Sequence, residues 1–158
     1  AGGEGVAGLE ERREGVRIYE RHLALYAHAA EWFPKECCAL IVAGASGGRA
    51  VLADNLQDKY HQLDPEMYPR TAEQAYLLDP RLLAQAESDG ERIVAIVHSH
   101  CRVGAYFSDK DQEDARSPFD DGPLYPGVDY VVLDAQEEAV LGHKVFAWSD
   151  EEKRYVER

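Results

Sequence analysis

The chain has 158 residues, of which 30 are acidic and 17 basic, so its formal net charge at pH 7 is −13. Its length is typical of one domain that buries roughly 70% of its unfolded surface. A strongly negative surface repels phosphates and anionic lipids, which argues against nucleic acid and membrane partners. No apolar run approaches the roughly 20 residues of a membrane helix, and an odd count of three cysteines does not indicate a disulfide framework. We therefore expect a cytoplasmic protein, and nothing in the sequence predicts its oligomeric state.

The N-terminal part of the chain shows a change from polar tail to folded domain. Residues 1–14 are small, glycine-rich and charged, and are expected to form a flexible tail before a single domain at residues 15–158. Val16–Tyr19 is a candidate edge strand. From Glu20 the apolar residues recur at helical spacing until Pro34 ends the pattern, which predicts a helix.

Three histidines precede the main motif of the chain. His22 and His28 fall within this first helix, and as isolated histidines on a mixed helix they are expected at the surface rather than as ligands. His61 is expected to be only a loop residue, because the segment Asp54–Leu78 is polar and interrupted by two prolines. A long loop of this kind tends to border a binding groove.

The remaining elements follow from apolar runs and turn residues. Asp79-Pro80 caps a predicted helix that ends at Gly90. The helices and strands do not alternate strictly, which predicts an α/β or α+β fold with a mixed, largely antiparallel central sheet flanked by helices. Besides the central strand described next, the predicted strands are Glu36–Ala43, Arg49–Leu52, Val128–Leu133, Val140–Trp148 and Arg154–Glu157.

The central strand carries the residues that point to chemistry. The apolar run Ile93–Val97 leads directly to His98 and His100, which project from the same face of an extended strand roughly 7 Å apart. Eleven residues later, Asp111 offers an oxygen ligand. Two imidazoles and one carboxylate leave a fourth tetrahedral position for water, which is the pattern of catalytic rather than structural zinc.

Other interpretations of these residues remain open at the level of sequence. Ser108-x-x-Asp111 is also a helix N-cap pattern, and this is compatible with metal binding because it would fix the position of Asp111. Cys101 could act as a fourth ligand that closes the site, although in a continuing strand it faces away from His100. Ser99 points to the face opposite the histidines and is interpreted as a hydroxyl that either supports the ligands from behind or lies in the core.

The string His98-Ser99-His100, seven residues, Ser108, two residues and Asp111 resembles the signature of the JAB/MPN metalloproteases, or JAMM family. That family also has a glutamate at the start of a hydrophobic strand that follows a helix, and Glu36 lies in this context. The likeness extends from about Val16 to the C-terminus. The chain departs from the family at three places, where prolines are replaced by Cys101 and Phe107 and a glycine by Ala39.

The resemblance implies a JAB/MPN-like, cytidine-deaminase-like sandwich and a zinc-dependent peptidase or isopeptidase with one zinc per chain. It implies that His98, His100 and Asp111 hold the metal, that Glu36 is the general base and that Ser108 stabilises the oxyanion. Relatives cleave after the C-terminal Gly-Gly of ubiquitin-like or sulfur-carrier proteins, so such a tail is the expected partner.

Two alternatives remain open beside this deubiquitinase-like hydrolase. One is an inactive binding or scaffold module with the same fold, and the other is a zinc hydrolase of small amides. In the favoured interpretation, the loops Asp54–Leu78 and Cys101–Phe107 line the substrate groove.

Overall fold

The structure is a computed structural model that describes residues 22–158. The expected tail at residues 1–14 and the expected strand Val16–Tyr19 lie outside the described residues. Within the described part, helices and strands follow in the order α1 (residues 22–32), β1 (Cys38–Gly44), β2 (Gly47–Ala53), α2 (Gln57–Leu63), α3 (Pro80–Ser88), β3 (Arg92–Cys101), α4 (Asp109–Ala115), β4 (Asp129–Ala135), β5 (Val140–Ser149) and β6 (Arg154–Glu157).

The strands form one sheet in the order β2-β1-β3-β4-β5-β6. Only β3 and β4 are parallel among these neighbours, and the connection between them contains α4. The sheet is therefore mixed and largely antiparallel, and the fold predicted from the sequence is confirmed. The motif strand β3 lies near the middle of the sheet, between β1 and β4.

Both faces of the sheet are covered, which explains why β1 and β3 contain continuous buried apolar runs, Cys38–Ala43 and Ile93–Val97, rather than alternating residues. On one face, α1 packs its buried Leu25 and Ala29 against Ile41 of β1 and Val97 of β3. Helices α3 and α4 cover the opposite face, where the buried core comprises Leu40, Val42, Leu83, Ala86, Ile93, Ile96, Ala115, Val128, Tyr130, Val132, Phe146 and Tyr155.

Three local predictions are wrong. The segment Asp54–Leu78 is not irregular throughout, because it contains α2; a helix of seven residues is too short to show an apolar periodicity. For the same reason His61 is not a loop residue, since it lies in the last turn of α2. His28 is not a surface residue. It is buried, and its Nε2 atom lies 3.0 Å from the carbonyl oxygens of both Cys38 and Ala53, so it connects α1 to the ends of β1 and β2.

Among residues 22–158, no helix combines the length and the apolar character that crossing a bilayer requires.

Candidate metal and active site

The end of β3 and the start of α4 bring three metal-ligating side chains together. The Nε2 atoms of His98 and His100 lie 3.2 Å apart, and Oδ2 of Asp111 lies 3.3 Å and 3.1 Å from them. All three residues are buried. In the described part of the chain, they form the one group of three or more His, Cys, Asp or Glu side chains whose ligand atoms lie close enough to hold a metal ion. The structure thus brings together the three ligands that the sequence predicted.

The start of α4 fixes the carboxylate in place. Ser108 is the N-cap of this helix, and its Oγ accepts a hydrogen bond of 3.0 Å from the backbone N–H of Asp111. In return, Oδ2 of Asp111 accepts a 3.0 Å hydrogen bond from the Ser108 backbone N–H. This reciprocal capping box satisfies two N–H groups that the first helical turn would leave unpaired. The N-cap prediction is confirmed, and the cap orients the carboxylate towards the histidines.

The donor atoms fit zinc in both spacing and chemistry. Zinc bonds of about 2.0–2.1 Å in a tetrahedral arrangement place ligand atoms about 3.3 Å apart, close to the spacing found here. Nδ1 of His100 lies 3.2 Å from the carbonyl oxygen of Gly104. Donating to this carbonyl leaves a lone pair on Nε2, which is the usual arrangement for a ligating histidine.

Packing and burial favour the metal-binding form of these side chains. The ring of Tyr76 stacks on His98 at 4.3 Å between centroids, and burial lowers the pKa of His98, which favours the neutral imidazole. Nδ1 of His98 is buried without a hydrogen-bond partner among the described residues, so stacking orients this ring. Burial alone would raise the pKa of Asp111. Hydrogen bonds with His100 and His98 outweigh it and hold that pKa below its ordinary range.

Glu36 lies beside this group because of the pairing between β1 and β3. Cys38 is paired with His98 in the antiparallel register, so continuing by two residues places Glu36 opposite His100. Opposite residues of an antiparallel pair project to the same face. The backbone N–H of Glu36 donates a 2.7 Å hydrogen bond to the carbonyl of Ala72, which holds the chain at this point.

The carboxyl group of Glu36 has an unusual pKa. The residue is only 6% exposed, and burial raises its pKa to about 9, helped by the negative charge of Asp111 and opposed by Arg70. In the metal-free protein this carboxyl is therefore protonated at neutral pH. A cation bound by the adjacent ligands would favour the carboxylate form, since an opposite charge nearby stabilises the ionised acid.

The Ser108 hydroxyl remains able to donate. Its oxygen accepts from Asp111, and its proton has no acceptor among residues 22–158. Ser108 lines an open cleft of about 880 Å³ together with Glu36, His100 and Asp111. Both segments expected to border a groove contribute to the walls, through Gln57, Met67, Tyr68, Pro69, Arg70, Glu73, Gln74, Ala75, Tyr76, Leu77, Cys101, Arg102, Val103 and Tyr106.

Comparison with known proteins places this geometry in a family. The family model described as prokaryotic homologues of the JAB domain matches residues 20–149. The chain belongs to this family. The family resemblance drawn from the motif is thereby confirmed, and it supports a metal-binding module or hydrolase.

Solved structures show the same fold. A protein from Desulfitobacterium hafniense, solved in solution, is 17% identical with a TM-score of 0.55, and the match covers 88% of this chain and 86% of that one. A protein from Salinibacter ruber is 20% identical with a TM-score of 0.50, covering 94% and 85%. At these identities the likeness concerns the fold alone. No curated protein matches the chain.

Sequence reasoning missed the residue that joins this JAB domain's glutamate to the cleft wall. The side chain of Asn55 is buried and makes four hydrogen bonds. Its Nδ2 donates to the carbonyls of Glu36 at 2.9 Å and Ala75 at 3.0 Å, and its Oδ1 accepts from the backbone N–H groups of Gln57 and Leu77. An Asn between a strand and a polar segment is a common turn signal, so nothing local distinguished it.

Ser99 and Cys101 do not join the candidate metal ligands. Ser99 is fully buried, and its Oγ accepts a 2.7 Å hydrogen bond from the backbone N–H of Cys37, as expected for a core hydroxyl on the other face. Cys101 is not among the clustered donors of the described chain. Burial raises the pKa of its thiol to about 11, which disfavours the thiolate needed for coordination.

Phe107 occupies the position before Ser108 at which relatives often carry proline. The ring of Phe107 packs 5.2 Å from both Tyr130 and Phe146 and 5.6 Å from Tyr155, measured between centroids. These contacts fix the residue that immediately precedes Ser108. In this JAB domain, packing thus restrains the loop that a proline would restrain through its ring.

Proposed function

We propose that this JAB domain is a zinc-dependent peptidase or isopeptidase that cleaves the bond after the C-terminal Gly-Gly of a ubiquitin-like or sulfur-carrier protein. One observation carries the proposal. Three zinc-type donor atoms converge within 3.3 Å of one another, with a buried glutamate beside them, at the wall of an open cleft. A structural zinc site would need a fourth protein ligand, and the described cluster has three.

Zinc held by His98, His100 and Asp111 would supply Lewis acidity, which polarises a carbonyl and lowers the pKa of water. The role of Glu36 is proton transfer. Its carboxylate accepts a proton from the attacking water as the new C–O bond forms, and returns it to the amine as the C–N bond breaks. Burial raises the proton affinity of this carboxyl, which helps it to hold the proton until the amine departs.

Ser108 has a separate role. Its hydroxyl proton is free to hydrogen-bond to the oxygen that becomes negative when the carbonyl carbon turns tetrahedral. The helix cap does not compete for that proton, because Ser108 acts in the cap as an acceptor. One side chain therefore orients the ligand Asp111 and donates to the reacting group.

The Gly-Gly tail is the part of the proposal that depends on the family resemblance. An extended tail without side chains suits a cleft whose walls come from two separate loops, since glycine allows the backbone closest approach to the reacting groups. Exposed apolar side chains at Met67 (69%), Val103 (62%) and Tyr106 (50%) lie along these walls and would contact the body of the carrier.

The experiment is to incubate zinc-loaded protein with Gly-Gly carriers extended by one amino acid or joined to a protein lysine. Intact mass of the products locates the cleaved bond. The matched control is Glu36→Gln, which is expected to retain zinc and to lose hydrolysis by at least roughly a hundredfold.

Three results would contradict the proposal. Equal turnover by Glu36→Gln would return Glu36 to the role of a strand-end residue. Binding of carriers without cleavage would favour the scaffold interpretation. Hydrolysis of short unrelated amides with every carrier intact would favour a small-amide hydrolase.

A further inference from the structure

The cleft contains one basic side chain that has no ion pair among the described residues. Three basic residues line it, namely Arg70, Arg102 and Lys110. Arg102 pairs with Glu137 at 3.2 Å, and Lys110 pairs with Asp114 at 3.0 Å.

Arg70 is different from the other two. Its side chain is exposed, and it forms no ion pair or side-chain hydrogen bond with any residue in the range 22–158. Acidic residues outnumber basic ones 30 to 17 in this chain, so carboxylate partners are plentiful. A guanidinium without an ion pair, in the cleft that Glu36 also lines, is therefore a candidate for contact with an anionic substrate group.

The backbone around Arg70 is fixed relative to Glu36. The Arg70 carbonyl accepts a 2.8 Å hydrogen bond from the buried side chain of Gln57. Two residues later, Ala72 donates its N–H to Asp58 at 2.7 Å, and its carbonyl accepts the N–H of Glu36 at 2.7 Å. The segment that carries Arg70 is thus hydrogen-bonded directly to the proposed base, and a rigid backbone is what a specificity residue requires.

The place of Arg70 in the same cleft as Glu36 determines which part of the substrate it contacts. Glu36 returns a proton to the departing amine, so the leaving group lies on the Glu36 side of the scissile bond. Arg70 lines the same cleft as Glu36, and Ala72, two residues after Arg70, is hydrogen-bonded to the Glu36 backbone, so the two residues lie on the same side of that cleft. Resting on the function proposed above, we infer that Arg70 binds the free α-carboxylate of a leaving group that is a single amino acid.

The chemistry of the two candidate leaving groups explains the choice. In a single amino acid, one carbon separates the amide nitrogen from the carboxylate, so a guanidinium next to the base can form a bidentate pair with it. In an isopeptide, the same place is occupied by the uncharged methylene chain of lysine. Arg70 therefore selects removal of one amino acid from the carrier over removal of a conjugated protein.

The test uses three probes built on N-acetyl-Ala-Gly-Gly. The first is extended by alanine with a free carboxylate, the second by alanine carboxamide, and the third through the Nε of Nα-acetyl-lysine amide. Hydrolysis of each by the zinc-loaded protein gives kcat/KM, and binding of the first two to chelator-treated protein is measured by NMR titration. The variants are Arg70→Gln and Arg70→Lys, with Arg102→Gln as the matched control, since Arg102 already has a carboxylate partner.

We expect the carboxylate probe to be hydrolysed, and bound by the metal-free protein, at least about tenfold better than the carboxamide, which corresponds to 1.4 kcal/mol. Arg70→Gln should abolish this preference by lowering kcat/KM and affinity for the carboxylate probe alone. Arg70→Lys should keep part of the preference, and Arg102→Gln should keep all of it. An equal effect of Arg70→Gln on both probes, or an unchanged preference, overturns the inference.

Failure of the function and failure of the inference are distinguishable. If the zinc-loaded protein hydrolyses all three probes at equal rates, the proposed function stands and the role of Arg70 is wrong. If it hydrolyses no probe and no carrier, the proposed function is wrong. In that case the ratio of the two affinities for metal-free protein still decides whether Arg70 recognises a carboxylate.

Discussion

Replacing Glu36 by glutamine should stabilise the metal-free protein, and increasingly so as the pH rises. The folded state holds the Glu36 carboxyl at a pKa of about 9, whereas the ordinary value for glutamate is 4.5. Between these values the unfolded chain releases a proton that the folded chain keeps. The contribution of Glu36 to the free energy of unfolding is therefore fully present below pH 4.5, falls as the pH rises towards 9, and levels off above pH 9. Glutamine has the same shape and no charge, so this loss is absent from the variant.

The size of the effect follows from the two pKa values. At pH 7.5, three units above the unfolded value, the loss is at most about 4 kcal/mol, because each unit corresponds to 1.36 kcal/mol. A domain of ordinary stability has about 5–15 kcal/mol in total, so the effect is a large fraction of it. Local rearrangement that admits water around the carboxyl will reduce the value, and we expect about 1–4 kcal/mol at pH 7.5.

Urea unfolding of wild type and Glu36→Gln, both treated with chelator, measures the difference at each pH from 4 to 9. The difference between the proteins removes the contribution of all other titrating groups. The control is Glu87→Gln, which makes the same substitution at an exposed position of α3. Zinc should reduce the Glu36→Gln difference, because the cation favours the carboxylate form. A difference that stays flat from pH 5 to 9 would refute the burial argument for Glu36.

Three further predictions concern the metal, the oxyanion and the buried network. Elemental analysis should find about one zinc per chain in protein prepared without chelator, and a His98→Ala, His100→Ala double variant that retained it would remove the basis of the site. Ser108→Gly should lower kcat by about a hundredfold with little change in unfolding free energy, since glycine is nearly as good an N-cap; unchanged kcat would exclude the oxyanion role. Asn55→Ala should lower unfolding free energy by about 2–4 kcal/mol and reduce kcat, because it leaves buried backbone groups of the cleft wall unpaired. A fully stable, fully active Asn55→Ala protein would show that this network does not hold Glu36.

Sequence reasoning succeeded where the chemistry depends on local geometry. Alternation along one strand is enough to place His98 and His100 on one face, and a helix cap is enough to place Asp111 near them. It failed where position depends on contacts distant in the chain. His28 is buried because it reaches two carbonyls ten and 25 residues away, and no local pattern indicates such partners. For the same reason, the buried hydrogen bonds of Asn55 could not be predicted from the sequence.

The pairing of β1 with β3 connects the stability of the fold to the geometry of the site. Glu36 faces the ligands only in the observed register, in which Cys38 is opposite His98. A slip of one residue would turn every side chain of β1 to the other face. Leu40 and Val42 would then enter the core on the α1 face, which is packed around the smaller Ala39 and Ala43, and overpacking of this kind costs roughly 1–3 kcal/mol. This packing offsets the cost of holding the Glu36 carboxyl away from water, so the apolar strand fixes a buried acid where the sequence by itself would favour exposure.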